Sequence, residues 1–184
     1  MRGRLLGVFA LLSAGALHAE ITSEPYAVIG DWKVTANNRG QCAMARFYPG
    51  SAKYDDEGLI VVYDAQRKAA VLTWVSSKPS PPPLGDSLDL ELSLFGGASK
   101  NARWGSQLFK TEKRADTYGF THVFIGSTDS ERFLSDIGAH ETFALFLGPT
   151  LMAGLRLNAS DAVTKLRECS SKIASQDASD RLHR

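Results

Sequence analysis

The chain has 184 residues, 43% of them hydrophobic and 22% charged, with 21 basic against 20 acidic side chains and a formal net charge of +1. That balance leaves no basic stripe to hold a nucleic-acid backbone or an anionic membrane surface, and the length suits one well-buried core rather than two. Its two cysteines, Cys42 and Cys169, stand too far apart for a Cys-x-x-Cys redox pair.

The first residues carry Arg2 and Arg4, then an apolar run from Leu5 to Leu17, then small residues and Glu20. This is the layout of a secretory leader, residues 1–19, with cleavage after Ala19 or after Ala16. The run is too short for a bilayer span, which needs about 20 residues, and no later stretch is long enough. The expectation is a periplasmic or secreted protein without a membrane span. In an oxidising compartment the two cysteines are expected to form one disulfide, Cys42 to Cys169. Residues 20–173 then form a single β-rich domain, and the polar residues 174–184 a disordered tail.

Tyr26–Ile29 and Asp31–Thr35 read as strands on either side of Gly30, with Trp32 and Val34 on one face and Lys33 and Thr35 on the other. Asn37-Asn38-Arg39-Gly40 supplies residues that tolerate positive φ, and Cys42–Phe47 returns as the next strand. Asp55, Asp56 and Glu57 lack the alternating ligand spacing of an EF-hand loop and read as an acidic turn. Leu59–Tyr63 and Ala70–Val75 are apolar on both faces, as central strands are. Pro79, Pro81, Pro82 and Pro83 predict an extended surface connector, with a weak P-x-x-P ligand pattern. Ser87–Leu94 alternates leucine with polar residues, one face toward the core and one toward water.

Trp104–Phe109 and Thr117–Ile125 form the next pair, around a charged tip containing Lys110, Glu112, Lys113 and Arg114. The second strand carries Tyr118, Phe120, His122 and Phe124 on one face, a row expected to fill the core. Thr128-Asp129-Ser130-Glu131 has capping-box spacing, predicting a short helix from about Ser130 to Ile137, closed by Gly138. Glu141–Leu147 and Leu151–Leu157 are strands joined by Gly148-Pro149. Ser160 or Asn158 is expected to cap a last helix, Asp161–Lys172, whose Ala162, Leu166, Cys169 and Ile173 recur at helical spacing. The cap also accounts for the glycosylation-like Asn158-Ala159-Ser160. The fold expected is mainly β, an antiparallel sandwich or open barrel with a short internal helix and a C-terminal helix. The alternative is an α+β sheet with both helices on one face.

Catalytic signatures are sparse. G-x-S-x-G, H-E-x-x-H, G-x-G-x-x-G and G-x-x-x-x-G-K spacings do not occur. A metal set would have to combine His140 and Glu141 with Asp136 or His122, without the spacing zinc sites show, so no catalytic, metal or cofactor residue is assigned. The functional expectation is a non-catalytic binding or protein-interaction module, its surface including Trp104, His140 and Pro79 to Pro83. A hydrolase using carboxylates or His140 is the alternative, and a structural envelope protein the third reading.

Gly30-Asp31-Trp32-Lys33-Val34, the strand Cys42-Ala43-Met44-Ala45-Arg46 and the ending Leu155 to Cys169 resemble small exported proteobacterial proteins grouped with the invasion-associated locus B family. Members often carry a further cysteine shortly after the tryptophan, where this chain has Val34-Thr35-Ala36. The resemblance covers the two ends of the chain. It implies a periplasmic β protein and supplies no catalytic residue.

Overall fold

The computed structural model describes residues 23–37, 40–48, 57–77, 85–97 and 101–182. The expected leader 1–19, Asn38-Arg39, Asp55-Asp56 and Pro79 to Pro83 lie outside those residues. Ten strands form one antiparallel sheet: β1 (Ser23–Ile29), β2 (Trp32–Asn37), β3 (Cys42–Tyr48), β4 (Glu57–Asp64), β5 (Ala69–Ser76), β6 (Ser87–Phe95), β7 (Ala102–Arg114), β8 (Thr117–Ile125), β9 (Thr142–Leu147) and β10 (Thr150–Arg156). Among the described residues two helices accompany the sheet, α1 (Ser127–Ala139) and α2 (Ser160–Leu182).

The strand order is β1-β2-β3-β4-β5-β8-β7-β6-β9-β10. The architecture is mainly β, as expected: one open antiparallel sheet with an internal and a C-terminal helix. Period-two alternation decides which side each residue faces: Leu59, Val61 and Tyr63 of β4, Leu72 and Trp74 of β5, and Leu90, Leu92 and Leu94 of β6 are all buried in one continuous core. The aromatic row on β8 fills that core as its spacing predicts, with Trp74 stacked on Phe120 at 4.6 Å and Phe124 on Phe133 at 4.0 Å. Both helices contribute to the same core, Phe133, Leu134 and Ile137 from α1 and Ala162, Val163, Leu166 and Cys169 from α2. They share one face of the sheet, as the α+β alternative anticipates.

Side chains draw the last strand toward the first ones. Trp32 Nε1 donates to Leu157 O at 2.9 Å, Arg46 Nη1 donates to Leu157 O at 2.9 Å and Arg156 O at 3.1 Å, and the Tyr48 hydroxyl donates to Arg156 O. β3 and the end of β10 are seven strands apart in the sheet order, so these contacts require the sheet to curl strongly. The curled sheet is stapled by Cys42–Cys169, whose Cα atoms are 6.1 Å apart and which fixes α2 to β3.

Four local expectations are corrected. The internal helix starts at Ser127, earlier than Ser130, with Gly126 at its N-cap and no side-chain cap; Thr128 lies inside the first turn, so the capping box does not form. Gly126 O instead accepts from both Ser130 N and Ser130 Oγ. In α2 the first helical bond runs from Val163 N to Ala159 O, which puts Ala159 at the cap in place of Asn158 or Ser160. Gly138 does not close α1; it lies within the helix, facing Ser160 and Val163 of α2 at a distance where a Cβ would make ordinary van der Waals contact. α2 also stays helical to Leu182, through residues whose composition predicts a tail.

Candidate functional site

Three turns far apart in the chain meet at the seam. The β1–β2 turn brings Gly30 and Asp31, the α1–β9 turn brings Gly138 to Glu141, and the β10–α2 turn brings Asn158 to Asp161. With Trp32, Arg46 and Gly97 they enclose a cleft of about 540 Å³. Backbone bonds join the α1–β9 turn to the ends of β6 and β10, Glu141 N donating to Phe95 O at 3.0 Å and Leu157 N to Glu141 O at 2.7 Å. Gly97, at φ 79°, is packed so closely that a Cβ would stand 2.4 Å from Ala139 O. Any side chain at that position would force the end of α1 away from β6.

Arg46 is the cation of the cleft. It follows Cys42 and Met44 on the core-facing parity of β3, and its side chain is only 15% exposed. Its Nη2 pairs with the Asp31 carboxylate at 2.8 Å while Nη1 serves the carbonyls of residues 156 and 157. Burial pushes the neighbouring Tyr48 hydroxyl up to about 12, aided by the charges of Asp31 and Glu57 and opposed by Arg46. His140 is 3% exposed, and its Nδ1 lies 2.7 Å from Asp136 O. A carbonyl only accepts, so that nitrogen carries the proton and the tautomer is fixed by the end of α1. Glu141 and Asp161 are exposed at the rim.

Of the residues singled out from sequence, His140 lies in this cleft and Trp104 does not. A register shift between Leu92 and Ser93 leaves Trp104 as the extra residue of β7, next to Gly105 at φ 65°. The bulge aims the indole at α1: Nε1 donates to Asp136 Oδ2 at 3.1 Å, Arg132 lies 4.2 Å over the ring, and Phe124 meets it edge-on at 5.0 Å. Trp104 is thus committed to the joint between β7 and α1. His122 stays apart as well, its Nδ1 donating to Leu108 O at 3.0 Å. With the Asp136 carboxylate facing Trp104 and Arg132, the four residues of the sequence-based metal set do not converge. Among the described residues no three His, Cys, Asp or Glu side chains are grouped to hold a metal ion, and no helix is long and apolar enough to cross a membrane.

Asp31, Arg46 and Asp161 were not candidates from sequence. The readable signal was Arg46, a charge on the core parity of an otherwise apolar strand. Nothing in the sequence linked it to residues 139–141 or 158–161, which reach it only through the curl of the sheet. Compared with protein-family models, with curated proteins and with solved structures, the chain matches none.

Proposed function

We propose that the protein is an exported, periplasmic, non-catalytic binding module whose ligand occupies the cleft between the β1–β2, α1–β9 and β10–α2 turns. The observation that carries this reading is the division of labour among the cleft's polar groups. The deeper ones are already committed to the fold: Arg46 to Asp31 and two carbonyls, His140 through Nδ1 to the end of α1. The exposed charged residues that line the cleft are Asp31, Glu141 and Asp161, set against one guanidinium that Asp31 already pairs with. Such a rim favours a ligand bearing cationic groups, an ammonium or guanidinium on a peptide. The leader layout and the Cys42–Cys169 bridge support export to an oxidising compartment.

The test is calorimetric titration of the mature protein with lysine and glutamate peptides of equal length. The lysine peptide should bind, more weakly as salt rises, and a Glu141→Gln/Asp161→Asn double variant should bind it less tightly. Equal or absent binding of both peptides would overturn the cationic reading. A hydrolase is the second reading, favoured by the same cleft because it gathers His140 with three carboxylates. Hydrolytic turnover that disappears in a His140→Gln protein of unchanged stability would establish it.

A further inference from the structure

We draw no further inference here: the strongest candidate, the apolar groove of about 340 Å³ on the outer face of the sheet floored by Val62, Val71 and Val123, carries nothing because the structure does not show what covers it.

Discussion

Arg46 does two jobs with one planar group. The guanidinium presents a fixed fork of donors, so one nitrogen can hold two carbonyls of the β10–α2 turn while another pairs with Asp31. A lysine would offer a point charge without that fork. Replacing Arg46 with Met keeps the apolar stem and removes the donors, and should lower stability by about 1–3 kcal/mol in urea denaturation, the cost of carbonyls losing charge-assisted partners. Asp31→Asn should change stability far less, because its carboxylate is 71% exposed and an exposed pair contributes little. A second residue-scale prediction concerns alkali. Tyr48 and Tyr63 are both pushed up to about 12 from 10.0. For Tyr63 the causes are burial, then the hydrogen bond to Glu131 and its charge, with Arg167 opposing. Unfolded tyrosine therefore releases its proton before folded tyrosine does. Stability should be unaffected below pH 10 and should fall as pH rises from 10 toward 12. Denaturation midpoints across that range check it, and a Tyr48→Phe/Tyr63→Phe protein should show a shallower fall.

The disulfide is the strongest single constraint on an element, because it ties α2 to β3 across a sequence separation of 127. Closing a loop that long restricts the unfolded chain by about 4–5 kcal/mol in the chain-entropy model. A Cys42→Ala/Cys169→Ala protein should lose up to that amount, read as a lower thermal midpoint, while the native protein should show no thiol to a thiol-reactive dye. The tail of α2 is at the other extreme. Among the described residues Ile173 is the last of α2 packed against the core, and Ser175, Gln176 and Ser179 are exposed. Ending the chain after Ala174 should leave the midpoint nearly unchanged while reducing helical circular dichroism. The same contrast explains what was legible in the sequence. Strands such as β6 announce themselves because Leu88, Leu90, Leu92 and Leu94 alternate with polar residues, and the buried stripe of α2 places Cys169 against the core. Helix starts are illegible in the sequence because Gly126 and Ala159 occupy the caps, and neither has a side-chain oxygen to mark the position. Trp104 reads as a surface residue because nothing in a run of strand residues marks the bulge that turns it toward α1.

At the scale of the whole molecule, the sheet of the described residues ends in β1 and β10, and both edge strands are blunted. β1 contains Pro25, which has no N–H, and its pairing with β2 shifts register between Pro25 and Ala27; β10 shifts between Leu151 and Ala153. The cleft could not be found from sequence because it exists only where the curl of ten strands brings residues near 31, 140 and 160 together. That curl also sets an order of events during synthesis. Trp32 latches to Leu157, Arg46 to Arg156 and Cys42 to Cys169, so the contacts that close the fold all join its beginning to its end. A chain lengthening from its N-terminus at about 5–20 residues per second must wait roughly 6–25 s between the appearance of Cys42 and that of Cys169. Through that interval Leu59 and Val61 of β4 are made without the final helix that packs over β1 to β4, and the nascent protein depends on staying unlatched and unaggregated until that helix arrives.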